Sequence, residues 1–113
     1  MTIRQCDIWL VPIPFTNLAS TERRPALVIS SEAYNSTFRD VIVMAITTRL
    51  DAAVPGIVFD QSSIEAGVLR YQSKLVAAKV FCLDQSILIH PICRCKPELL
   101  ASGLSQLDQV LAR

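Results

Sequence analysis

The residues best able to do chemistry lie in two short blocks. Glu22, Arg23 and Arg24 stand together at the end of a polar stretch, and Thr47 and Thr48 close the most apolar segment of the chain. A planar guanidinium grips two phosphate oxygens at once while hydroxyls donate to others. An arginine, a hydroxyl pair and a carboxylate brought together can therefore hold a phosphodiester. The same residues also read as a solvated loop and a strand end, and pattern alone leaves both readings open. His90 stands apart from both blocks, next to Pro91, and is read as structural. With Cys82, Cys93 and Cys95 it makes a conceivable zinc set, but the spacing lacks the paired C-x2-C knuckle of such sites. No metal and no cofactor are expected, and these cysteines, with Cys6, read as small buried hydrophobes.

The elements that must position these blocks follow from hydrophobic pattern. Residues 8–15, Ile-Trp-Leu-Val-Pro-Ile-Pro-Phe, read as a strand whose two prolines place it at a sheet margin or bend it. Residues 16–24 read as a loop, and residues 25–30 as a short strand, apolar throughout and so buried on both faces. Ser31 is a plausible cap for about one helical turn. Residues 40–47, Asp-Val-Ile-Val-Met-Ala-Ile-Thr, form the clearest strand. Further strands are expected over 54–60, with a bulge at Pro55-Gly56, and over 72–81. Residues 61–69 read as a loop or one helical turn, and 87–92 as a strand or helix fragment. Pro97 suits the first position of a helix with Glu98 at its positive end, and Leu100, Leu104, Leu107 and Leu111 form its apolar stripe. Gly103 should weaken that helix by about 1 kcal/mol relative to alanine.

The pattern as a whole is mostly β, α+β in the broad sense: a curled antiparallel sheet or small open barrel with one amphipathic C-terminal helix. With 113 residues, the chain is read as one domain spanning 1–113. Hydrophobic residues make up 51% of it, a surplus that suggests some are covered by a second subunit. The formal net charge is +1, so a polyanion would have to be held by a local cluster, such as Arg23-Arg24 or Arg70, Lys74 and Lys79, rather than by a global field. No leader-like or membrane-spanning segment is evident, and the cytoplasm is the expected compartment.

Three strings in order carry a resemblance: Asp7-Ile-Trp-Leu-Val-Pro-Ile-Pro-Phe-Thr-Asn-Leu, Arg23-Arg-Pro-Ala-Leu-Val-Ile-Ser30, and Met44-Ala-Ile-Thr47. The chain resembles the MazF/PemK toxins, which open with a Gly-Asp strand, then a polar loop, an Arg-Pro-x-Leu-Val strand and a strand ending in Ile-Thr. Residues 72–84 are similar to the next signature strand of that family. The resemblance implies a homodimeric SH3-like barrel acting as a metal-independent ribonuclease on single-stranded RNA, restrained by a cognate antitoxin. It implies that Arg24 and Thr47 carry the reaction, in which the 2′-hydroxyl attacks its own phosphate to leave a 2′,3′-cyclic phosphate and a 5′-hydroxyl.

Arg24 can stabilise charge growing on the phosphate, and Thr47 can donate beside it. Neither is a base, because arginine stays protonated, so Glu22 is the candidate base or base-orienting group. Arg23, Thr48, Thr16, Asn17, Lys74 and Lys79 are the expected RNA contacts. The chain departs from the family pattern at Cys6, which replaces the usual Gly. It also departs at Ala77 and Ala78, where some members have an acidic-Gln pair, and at Phe81, where they have an arginine. Two other readings stay open: a gyrase-binding toxin of the CcdB kind on the same fold, and an RNA-binding module without activity.

Overall fold

A computed structural model describes residues 2–14, 21–51 and 53–113. Seven strands, β1 Asp7–Pro14, β2 Thr21–Val28, β3 Asp40–Thr47, β4 Ile57–Phe59, β5 Ile64–Gly67, β6 Ser73–Asp84 and β7 His90–Cys95, join two helices, α1 Glu32–Thr37 and α2 Pro97–Val110. The strands form one antiparallel sheet in the order β4-β6-β3-β2-β1-β7-β5, curled into a half-barrel. The mostly-β expectation with a C-terminal helix is met.

The central strands are apolar on both faces because both faces are covered. On one face, Ile8, Leu27, Met44, Ile46, Leu75, Ala77 and the two β7 cysteines pack beneath α2. On the other, Trp9, Val11, Ala26, Val28, Val41, Val43 and Ala45 pack with Ile3 and Leu88. Successive side chains of a strand alternate between these two cores, as the pleat requires.

Several boundaries differ from the pattern-based reading. The second strand begins at Thr21, not Pro25, because Glu22, Arg23 and Arg24 pair with Ile13, Pro12 and Val11 of β1. Polar composition hid this pairing. Pro12 falls where β1 has lost β7 as a neighbour, since that ladder covers only Asp7 to Leu10, so its missing N–H costs no rung on that side. The strand expected over 54–60 is reduced to Ile57–Phe59. A 3-10 turn, Gln61–Ser63, is capped by the Asp60 carboxylate and leads into β5, a strand the loop reading missed. β5 closes at Gly67, whose φ of +86° suits glycine. The ambiguous stretch near residue 90 is a strand, β7. The single turn after Ser31 is present, with Tyr34 N–H donating to the Ser31 hydroxyl.

A buried carboxylate ties the sheet's far side together. Asp7 accepts the Arg4 N–H at 3.0 Å and the Arg94 guanidinium at 3.0 Å, and Arg94 also donates to the Gln5 carbonyl and to Glu65. One arginine thus links the N-terminal arm, β1, β7 and β5. Immediately before Asp7, Cys6 has φ +77°, a left-handed conformation that glycine adopts without cost. That conformation gives the departure at this position a physical meaning.

Helix α2 begins at Pro97 as expected, but its buried seam is Leu99 and Gly103 flanked by Leu100 and Leu107, whereas Leu104 and Leu111 are exposed. The stripe is rotated because Gly103 is the contact point. A Cβ there would stand 2.7 Å from Leu75 Cδ2 and 3.3 Å from Met44 Sδ, both on fully buried side chains. Gly103→Ala should therefore lower the melting temperature: about 1 kcal/mol of helix propensity is gained, against about 1–3 kcal/mol for overpacking. Gly103→Val should lower it further. Thermal unfolding followed by circular dichroism checks both, and a raised melting temperature in the alanine variant would show slack at the contact.

Candidate functional site

Register decides which of the chemical residues share a face. The β2–β3 ladder pairs Val28 with Val43, Leu27 with Met44 and Ala26 with Ala45. The same offset carried two residues further sets Arg24 level with Thr47. Arg24 shares its face with Ala26 and Val28, and Thr47 shares its face with Ala45 and Val43, so both lie on the face of the Trp9–Val11 core. Glu22, two residues along β2, lies there as well and forms an ion pair with Arg24.

The ladder stops short of this pair for a local reason. Pro25 has no N–H and stands just past the last β2–β3 rung. β3 meanwhile stays paired to β6 through Ile46↔Leu75 and Thr47↔Lys74. Thr47 thus keeps β6 on one side and is unzipped from β2 on the other. Arg24 and Glu22 border the fork on the β2 side. The side chains of Arg24 and Glu22 are 35% and 46% exposed, and Thr47 is half-buried, so all three are reachable from solvent. The Thr47 hydroxyl oxygen accepts the Arg49 N–H at 3.1 Å, which leaves the hydroxyl proton available to a ligand. The exposed Arg49 went unnoticed in the sequence. The signal was its place two residues after a threonine that ends a strand.

The remaining candidates are dispersed. Arg23 is exposed but alternates onto the opposite face of β2 from Arg24, so the two arginines do not act as one patch. Thr48 is exposed just beyond β3, and Lys79 is exposed in β6. Thr16 and Asn17 lie outside the described residues. Lys74 corrects an expectation: it is only 5% exposed, and its Nζ donates to the Val54 carbonyl at 2.9 Å, so it is an internal fastening and not a surface phosphate contact.

His90 is exposed, with Nδ1 3.1 Å from the Pro91 carbonyl, while Cys93 and Cys95 point into the core. Among the described residues, no three His, Cys, Asp or Glu side chains converge as a metal set would. Burial pushes the Cys93 thiol up to about 11, with the Asp7 charge adding to it, and the Cys95 thiol up to about 12. Burial raises the Cys6 thiol too, opposed in part by neighbouring Cys95 and Arg94. Only Cys82 is exposed. Thiolates are the reactive species, so a thiol-specific disulfide reagent should titrate one cysteine in the native protein and four after denaturation. More than one fast-reacting thiol in the native state would contradict the packing of β7 against β1.

The sequence pattern of the PemK-like, MazF-like toxins of type II toxin–antitoxin systems matches residues 4–111. No curated protein sequence gives a significant match. Among solved structures, a MazE–MazF complex from Deinococcus radiodurans is similar at 18% identity and a TM-score of 0.76, covering 98% of this chain and 97% of that one. An endoribonuclease in complex with its cognate antitoxin, from a mycobacterial species, is similar at 15% identity and a TM-score of 0.76, covering 96% and 94%. The Mycobacterium tuberculosis toxin MazF-mt6 is similar at 15% identity and 0.69, covering 93% and 95%. At these identities the structural likeness establishes the fold.

Proposed function

The chain belongs to the PemK-like, MazF-like toxins of type II toxin–antitoxin systems, and from that premise we propose that it is a metal-independent endoribonuclease cutting single-stranded RNA at short sequence motifs. The observation that carries the reading is the register that sets Arg24, Glu22 and Thr47 on one face at the fork between β2 and β3. Its structural neighbours include endoribonucleases, which supports it.

A phosphate seated in the fork would place two oxygens on the Arg24 guanidinium and one on the Thr47 hydroxyl. Attack by the neighbouring 2′-oxygen builds negative charge on those oxygens, and the fixed cation and hydroxyl stabilise it as it forms. Glu22 accepts the 2′-hydroxyl proton. Its ion pair with Arg24 sets its direction and couples the two roles. The P–O5′ bond breaks, the 5′-oxygen takes a proton from solvent, and a 2′,3′-cyclic phosphate remains. Thr48, exposed just beyond β3, borders the site as a contact to a flanking nucleotide. Arg23 on the opposite face of β2 and Lys79, five residues beyond Lys74 on β6, are left to more distant parts of the RNA.

We assign the protein a small antitoxin as inhibitor, as in the antitoxin complexes of its neighbours, and a homodimeric state. Exposed Val58, Val68, Tyr71 and Leu111 give a second subunit apolar surface to cover. A monomeric mass in solution at micromolar concentration would count against the dimer.

Labelled RNA incubated with the protein in EDTA should be cut to fragments ending in 2′,3′-cyclic phosphate. Arg24→Ala and Arg24→Lys should each slow cleavage by about 100- to 1,000-fold, because an ammonium does not reproduce the two-pronged grip. Thr47→Val should slow it by about 10-fold or more, the cost of one hydrogen bond to a charged group. Glu22→Gln should change both rate and pH profile, and an unchanged pair of curves removes Glu22 from the mechanism. Intact RNA with stalled gyrase would favour the protein-binding toxin, and RNA retained without cuts an inactive binding module.

A further inference from the structure

Lys74 is the residue whose chemistry the proposed reaction leaves unused. A lysine 5% exposed in the middle of a sheet needs acceptors for its ammonium, and the structure supplies the Val54 carbonyl at 2.9 Å. The lysine stem has its own seat. A Cβ added at Gly56 would lie 2.5 Å from both Cγ and Cδ of Lys74 and 2.7 Å from the Leu75 carbonyl oxygen. Only a glycine lets the chain lie this close over the side chain. Lys74 also pairs directly with Thr47 on one side and with Val58 on the other, so one row crosses β3, β6 and β4. The connection from β3 to β4 is therefore held at both ends. At its start the Arg49 N–H is bonded to the Thr47 hydroxyl, and at its finish Val54 and Gly56 are clamped on Lys74.

We propose that Lys74 is a positioning residue: it fastens the β3–β4 connection against β6, and so fixes the wall that orients the Thr47 hydroxyl. The proposal rests on the nuclease reading for its consequence and on the packing around Gly56 for its mechanism. A lysine that touched RNA phosphate directly would be exposed. This one spends a hydrogen bond inside the molecule.

Two substitutions attack the clamp from opposite sides. Lys74→Met keeps the stem and removes the ammonium, whereas Gly56→Ala keeps the ammonium and lifts the chain off the stem. Both should lower kcat for single-stranded RNA by about 10- to 100-fold, the scale of a misplacement near 1 Å, with KM nearly unchanged. The dependence of binding on salt should keep its slope in both, because no phosphate contact is lost; a lost contact would flatten it by about 0.7. Amide exchange at Gly56 and Ile57 should quicken in both, and the double variant should lose little beyond either single one.

Wild-type kcat in Lys74→Met, or a raised KM with a flatter salt slope, overturns the positioning role. Unchanged exchange in that variant overturns the fastening itself, whatever the RNA does. Wild-type protein that leaves RNA whole in EDTA overturns the nuclease reading and the consequence drawn from it, while the exchange data still decide on the fastening. Should Lys74→Met fail to fold, Gly56→Ala carries the same measurements.

Discussion

The antiparallel ladder through β1, β2, β3 and β6 is the constraint on which the rest depends. Side chains alternate faces along β2 and along β3 as far as Thr47, so a single residue of slip between them would turn Arg24 and Glu22 away from Thr47. What prevents the slip is the double burial of these strands. Ala26 and Val28 of β2 must meet Val43 and Ala45 of β3 in one core while Leu27 meets Met44 in the other. A register shifted by one would send the small Ala26 and Val28 into the space shaped for Leu27, and Leu27 into theirs. Polar groups at the end of the ladder thus inherit their placement from apolar groups in its middle. Pro25 then turns a continuous sheet into a fork by withholding a donor where the next rungs would form.

The opposite side of the sheet is secured by charge. Asp7 is buried, and its acceptors are met by the Arg4 backbone and the Arg94 guanidinium, which reaches on to Gln5 and Glu65. A network satisfied on every side in this way fixes geometry, whereas a half-satisfied one would cost more than an apolar replacement. Cys6 accommodates the same closure from the backbone. Its left-handed φ costs on the order of 1 kcal/mol for a residue with a side chain, offset by burial of the sulfur against Cys95.

Much of this was legible in the sequence. Apolar runs located β1, β3 and β6 and the terminal helix, and Glu22, Arg24 and Thr47 stood out by residue type. What was hidden has identifiable causes. Arg23 and Arg24 looked like a loop because strand pairing through the backbone is blind to side-chain polarity. The α2 stripe was read from leucines, yet the closest approach is made by Gly103, which carries no hydrophobic signal at all. Lys74 looked like surface because charge is the usual mark of exposure, and only the carbonyl of Val54 and the bare backbone of Gly56 make its burial tolerable. Alternation failed in β6, where the pairing with β3 jumps from Met44↔Val80 to Ile46↔Leu75, so no single period describes the strand.

That jump has a mechanical result. Before it, the odd-numbered Leu75 and Ala77 of β6 fill the core under α2; after it, the odd-numbered Phe81 and Leu83 pack on the other core. One strand is a staple through both halves of the interior. Neither core can melt while the other stays intact, because each holds part of the same backbone. Unfolding should accordingly be all-or-none, and local opening is left to segments that β6 does not thread.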